Sequence, residues 1–364
     1  MHYREIDPPF SRYLIGFGLM IAGQKPLDQD WDWSKSFQAN SQAGVLPNTN
    51  QLFAGRLAVA ALFPFSLVCA YYLGKKLHSP GLGWLSFGLI AINSLVLIHT
   101  RRAMAESGLL FGVLLSLLGA VAWRRQRFWL ALPAALAFNA KYTALPLALI
   151  GLIAVVWDYQ NQITPWKKKI VNAVIYCTLF LAVTFALNPF LWNSPIQALK
   201  DAAVERDTLL ERQREEIGQA NSSQSLNTIG QRGVAILSQV FIAPPASEDV
   251  GNYTIDLQKS ITKYTSNPMH VFMRGWMGGS VILCLTLAGL IFFIFWLIRK
   301  KPISRSGILI LGAFLLQITA ILIAIQLPFQ RYYIPLIPFT SIFLAFSLLY
   351  PLEYLLKRIT AVRK

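Results

Sequence analysis

Long apolar runs recur along this chain, and they constrain its fold more than any other feature. Phe53–Leu73, Leu82–Ile98, Ala103–Trp123, Ile170–Leu187, Trp276–Ile298 and Gly307–Leu327 hold 17 to 23 residues each, and a last run reaches Leu349. About 20 apolar residues span a bilayer as a helix, and inside lipid only a helix or a closed barrel satisfies its own backbone. Charged residues make up 14% of the sequence, against roughly 25% in soluble domains. The expectation is an all-α polytopic membrane protein.

Basic residues gather at the ends of these runs. Lys75 and Lys76, Arg124, Arg125 and Arg127, Lys167–Lys169, Arg299–Lys301 with Arg305, and the C-terminal tail fall on one side of the membrane. An excess of Lys and Arg in short loops marks that side as cytoplasmic. The alternation holds only if Phe128–Trp157 crosses twice. Pro133, Pro146 and the polar Asn139-Ala-Lys141 permit a break there. About nine transmembrane helices result. The net charge of +16 is spent at helix ends, so no nucleic-acid partner is expected. Cys69, Cys177 and Cys284 lie inside apolar runs at spacings that suit neither a metal site nor a disulfide framework. They read as small core hydrophobes.

The chain divides into an N-terminal segment, 1–52, on the far side from the basic loops; a first helical bundle, 53–192; a large polar loop region, 193–275; and C-terminal helices with a basic tail, 276–364. Phe10–Gly23 is apolar but too short to cross upright, which suits an interfacial helix. Trp31 and Trp33 place the loop that follows on the headgroups. Gln197–Ile217 is rich in helix formers and charge. It is either a solvated linker helix or part of a substrate site. Asn221-Ser-Ser and Asn252-Tyr-Thr read as sequons, which carry no meaning in a bacterium. No internal repeat stands out.

The far side collects every polar cluster in an unexpected place. His99-Thr-Arg-Arg-Ala-Met-Ala-Glu-Ser107 puts charge between two apolar runs, and Arg102 and Glu106, four apart, share a face if the segment is helical. Arg56, Arg101, Lys141 and Arg331 add cations, and Glu5 and Asp7 add carboxylates. Such cations at a membrane surface suit a lipid phosphate, which Arg binds bidentately and Lys as a point charge. A sugar on a polyprenyl phosphate needs its departing phosphate stabilised and a carboxylate to take the acceptor's proton. A divalent metal is optional for this chemistry. Lys141 and Arg331 could instead be boundary cations, and Tyr332 an aromatic-belt residue.

Asp7-Pro-Pro-Phe-Ser-Arg-Tyr-Leu-Ile15, Arg101-Arg-Ala-Met-Ala-Glu-Ser107 and Asn139-Ala-Lys-Tyr142 resemble segments of the dolichyl-phosphate-mannose protein mannosyltransferases. Asn188-Pro-Phe-Leu-Trp192 and Arg331-Tyr-Tyr-Ile-Pro335 resemble segments of related bacterial transferases, including the lipid A aminoarabinose transferases. The ordered set runs along nearly the whole chain. The resemblance implies a GT-C fold of the family 39 type. It implies a polyprenyl-phosphate-linked sugar donor and a hydroxyl acceptor on protein, lipid or glycan, used at the exoplasmic face of a bacterial inner membrane. It sets Arg102 near the donor phosphate with Glu106 beside it. Lys141 and Arg331 add positive potential, and Tyr332 adds a hydrogen-bond donor. Arg101 and Arg56 are substrate-binding candidates from their place on this face alone.

The family's Asp-Glu pair, whose Asp is assigned as base, has no counterpart before Pro8, where only Glu5 and Asp7 stand. The base is therefore Asp7, Glu5 or Glu106. The start of the chain also leads us to expect an in-frame upstream extension that encodes a first helix and the acidic pair. Two rival classes stay open. A lipid or glycan transporter would show repeats and ionisable groups at mid-membrane depth. A non-catalytic membrane subunit would turn over no donor.

Overall fold

A computed structural model describes residues 7–27, 31–32, 35–123, 125–157, 165–220, 226–246, 254–300 and 302–362. Among these, every regular element is a helix. Helix α1 spans Phe10–Ile21, α2 Phe37–Gln42, α3 Thr49–Ala60, α4 Leu62–Leu77, α5 Pro80–Ala91, α6 Ser94–Thr100, α7 Glu106–Ala122 and α8 Ala131–Ala140. Then follow α9 Leu145–Val156, α10 Trp166–Leu187, α11 Pro195–Ala220, α12 Ile229–Leu237, α13 Thr254–Thr265, α14 Gly275–Arg299, α15 Arg305–Ala324 and α16 Ile337–Val362.

Five helical segments are long and apolar enough to cross a membrane: Thr49–Leu77, Trp166–Leu187, Gly275–Arg299, Arg305–Ala324 and Gln330–Leu355. The bent pair α5 and α6, which turns by 61°, makes a sixth. The nine crossings expected from the sequence are not reached on this measure, because α1, α7 and α9 are shorter apolar helices of 12 to 17 residues. The chain is an integral membrane protein built as a helical bundle.

The breaks that shape the bundle have local causes. Asn93 stops α5 and starts α6 by accepting from the N–H groups of Leu95 and Val96, as an N-cap side chain does. Ser79 caps α5, with Pro80 at the first helical position. Asn48 and Gln51 form a capping box on α3. Phe128–Trp157 divides as its sequence suggests, with α8 ending at Ala140 and Lys141 extended (φ −160°, ψ 131°) before a 3₁₀ turn and α9.

Small residues set the helix spacing, as expected where lipid removes the usual hydrophobic drive between helices. A Cβ on Gly112 of α7 would lie 2.7 Å from the backbone of Ala137 on α8. One on Gly289 of α14 would strike the Phe343 carbonyl oxygen of α16. Buried Phe293, Phe339, Phe343 and Phe346 then fill the space between α14, α15 and α16. Cys69 is buried, as a core hydrophobe would be, but Cys177 and Cys284 are exposed. They occupy outward faces of α10 and α14, where a small apolar side chain suits lipid as well as it suits a core.

Candidate active site

The N-terminus of α7, the C-termini of α8 and α10, and the short 3₁₀ helix Gln330–Leu336 meet at one end of the bundle. Glu106 opens α7 and is buried, at 1% exposure. Its Oε1 receives a hydrogen bond from Lys141 Nζ at 3.0 Å, closing a salt bridge. Lys141 can reach it because the chain leaves helical geometry at that residue. The Gly112–Ala137 approach also holds α7 and α8 close. Lys141 Nζ sits 4.6 Å from the centroid of the Tyr332 ring, and the Arg331 guanidinium lies over the same ring at 5.5 Å and over Phe329 at 5.6 Å. A cation over an aromatic face is held by the ring quadrupole. These contacts fix two positive charges beside one buried carboxylate. Lys141, at 15% side-chain exposure, is thus committed to the interior rather than reaching for water, and Arg331 and Tyr332 are half-buried with it.

The shared helical face expected for Arg102 and Glu106 is corrected. Residues 101–105 form turns and bends, and the helix begins only at Glu106. The partner of Glu106 comes from the break at Lys141, 35 residues downstream. Arg102 is half-buried in the turn and acts electrostatically on His99, as do Lys141, Arg331 and Glu106. Arg101 is exposed. It donates to the Leu97 carbonyl at the end of α6 and to the Tyr264 hydroxyl at 3.0 Å, which ties α6 to α13. Arg56 is exposed on α3, and among the described residues no ion pair joins it to the cluster.

Asp7 is exposed just before α1. It lies within electrostatic reach of Tyr142, the neighbour of Lys141, together with Arg12 and Arg206. Arg12 donates to the Asp7 main-chain carbonyl, which fixes the turn before α1. Asp7, and Arg206 from α11, thus act electrostatically on the residue that follows Lys141. Glu5 falls outside the described residues, as do the sequon asparagines Asn221 and Asn252. Among the described residues no group of His, Cys, Asp and Glu is arranged to hold a metal ion.

Sequence reasoning missed two features of the site. The side chains of Asn139 and Asn188 are joined by a hydrogen bond of 2.6 Å, and Asn139 also donates to Thr184 Oγ1 at 3.2 Å. The Asn-Ala-Lys-Tyr and Asn-Pro-Phe-Leu-Trp segments are thus one structural unit that holds the break at Lys141. His99 is fully buried, with no hydrogen-bond partner for either ring nitrogen among the described residues. Glu106 Oε2 and the Ser107 hydroxyl are likewise buried and unpartnered. Buried polar groups usually find partners, so His99, Glu106 and Ser107 offer unused hydrogen-bonding capacity near Lys141. The hint in the sequence was an imidazole next to two arginines at the end of an apolar run.

A family model described as dolichyl-phosphate-mannose-protein mannosyltransferase matches residues 2–194, just over half of the chain. No curated protein matches by sequence. Among solved structures, the Archaeoglobus fulgidus oligosaccharyltransferase in complex with Zn and sulfate superposes with a TM-score of 0.53 at 12% identity, over 97% of this chain and 42% of that one. The archaeal oligosaccharyltransferase AglB from Archaeoglobus fulgidus, in complex with an inhibitory peptide and a dolichol-phosphate, gives a TM-score of 0.50 at 12% identity, over 98% and 44%. The present chain spans less than half the length of either. At this identity the likeness shows the fold, which is GT-C-like.

Proposed function

Because the chain belongs to the dolichyl-phosphate-mannose-protein mannosyltransferase family, we propose that it moves a sugar from a polyprenyl-phosphate donor to a hydroxyl acceptor at the end of the bundle that holds Glu106. The observation that carries this reading is the buried Lys141–Glu106 pair with Arg331 and Tyr332 packed on it. Lys141, Arg331 and Arg102 supply positive charge to the lipid phosphate, and Glu106 holds Lys141 in place. Preorganised cations of this kind stabilise charge as it develops on a leaving group. The acceptor oxygen attacks the anomeric carbon, the bond from that carbon to the phosphate oxygen breaks, and the lipid phosphate leaves with the electron pair. Asp7 takes the acceptor proton. Glu106 suits that task less well, since one oxygen is bound to Lys141 and the residue is sealed from solvent. Tyr332 and Arg101 border the site, and Arg56 contributes only long-range potential.

The family description makes mannose the first sugar to test, and the peptide and dolichol-phosphate bound to AglB make a protein hydroxyl the first acceptor and a dolichol-type lipid the first carrier. The positive-inside reading places the site on the exoplasmic face, and the bacterial look of the motifs favours an inner membrane. The test is release of lipid phosphate by the purified chain, given polyprenyl-phosphate mannose and a Ser/Thr peptide. Acceptor-dependent release is expected. Absence of donor consumption with every acceptor class, protein, lipid and glycan, would favour a transporter or a non-catalytic subunit.

A further inference from the structure

We infer that the cavity beside Arg274 is a second anion site, which takes a phosphate-sized oxyanion. Arg274 precedes α14 in an extended conformation (φ −113°, ψ 177°). Its Nε donates to Ser94 Oγ at 3.0 Å and its Nη1 to the Gln239 carbonyl at 2.9 Å, while Nη2 is buried and has no partner. The cavity has a volume of about 40 Å³, and Asn93, Ser94, Thr286, Ser341 and Arg274 line it. A single water needs roughly 10–15 Å³ on this scale, so the cavity holds the equivalent of about three waters, a space that a compact oxyanion can take.

Arg274, Asn93 and Ser94 supply the donors of the lining, while the Thr286 and Thr340 hydroxyls give their protons to the Ile282 and Ile337 carbonyls. The Asn93 side-chain oxygen is already used on two backbone N–H groups, which leaves its NH₂ group to donate. Ser94 Oγ accepts from Arg274 and keeps its own proton. No carboxylate is among the described lining residues, and none forms an ion pair with Arg274. Burial alone pulls its guanidinium down to about 10, which leaves it charged at neutral pH. A largely buried cation with no counter-charge among the described residues is costly, and an anion in the cavity would remove that cost. Ser94 and Thr100 stand at opposite ends of α6, roughly 9 Å apart at 1.5 Å per residue. The site is therefore separate from the Lys141 cluster. Its ligand is the phosphate of a lipid headgroup or a free phosphate ion.

The test uses the full chain. Labelled inorganic phosphate is titrated onto protein in detergent, and native mass spectrometry counts phospholipid retained from nanodiscs of phosphatidylglycerol and phosphatidylcholine. One saturable phosphate, or one retained phosphatidylglycerol, is expected on this site. It should weaken at least ~10-fold, the loss of a charge-assisted contact, in Arg274→Gln and in Ser341→Leu. The second variant fills the cavity but keeps both Arg274 hydrogen bonds, so it tests the site even if the first fails to fold. Arg331→Ala must leave this binding intact. Phosphate binding would identify a soluble ion, and lipid retention alone a headgroup. Saturable binding of neither, wild-type binding by both Arg274→Gln and Ser341→Leu, or loss in Arg331→Ala would overturn the inference and leave a cavity that holds water.

Discussion

The Arg305 cluster at one end of the bundle and the Lys141 cluster at the other use their cations in opposite ways. At the end away from Glu106, Arg305 is buried and donates to the Ala154 carbonyl at 2.6 Å and the Ala120 carbonyl at 3.5 Å. Arg127 donates to the carbonyls of Trp157 and Ala154. These contacts neutralise the unsatisfied carbonyls and the negative dipole ends of α7 and α9. His78 and Glu353 pair at 2.8 Å there, against Trp296 and Phe346. At the Glu106 end, Lys141 and Arg331 converge on a carboxylate and on aromatic faces instead. Arg232, which donates to the Leu322 and Ile323 carbonyls at the end of α15, is a clamp of the first kind. A cation at a membrane boundary is thus uninformative by type. Its partner separates a helix clamp from a site for a ligand.

The comparison breaks most severely at the buried pair. Lys141→Met should destabilise the protein by about 3–5 kcal/mol, because it strands Glu106 as a buried charge. Lys141→Met combined with Glu106→Gln should recover most of that loss in a denaturation series while turnover stays abolished. Recovered turnover would assign the pair to folding alone. Next comes the phosphate clamp. Arg102→Ala and Arg331→Ala should each lower donor kcat/KM at least ~10-fold, about 1.4 kcal/mol of transition-state stabilisation. Arg102→Lys should restore only part of it, since the bidentate fork is lost. Full activity in Arg102→Ala would remove that residue from the site. Arg305→Met should cost about 1–3 kcal/mol of stability, the penalty for stranding buried carbonyls. The activity of the remaining folded fraction should not change. Smallest is Arg56→Ala, exposed and away from the cluster, with less than ~2-fold effect on kcat/KM and about 0.5 kcal/mol or less on stability, as for most surface changes.

The sequence made the bundle legible wherever a run of one chemistry met a residue of another. The long apolar runs became helices, the Pro-flanked Asn139–Lys141 became a break, and the charged Gln197–Ile217 stretch lies within α11. Lys141, Arg331 and Tyr332 stood out in the sequence, because a Lys inside an apolar run and an Arg-Tyr-Tyr at its edge are uncommon, and the structure brings these three together. The pairing was not legible. Spacing pointed Glu106 to Arg102, four residues away, but helical geometry starts too late for that rule to apply. The Asn139–Asn188 link and the Arg305 clamp join residues 49 and 151 positions apart, and no local pattern encodes such contacts.

Inhibition by free polyprenyl phosphate, compared between Arg331→Ala and Arg305→Met, tests the division between the two ends most directly. The product carries the phosphate without the sugar, so its inhibition constant reports the clamp alone. The constant should rise at least ~10-fold in Arg331→Ala, as for loss of one charge-assisted contact, and stay at the wild-type value in folded Arg305→Met. Equal constants in the two variants would contradict the assignment of the Lys141–Arg331 cluster to the lipid phosphate.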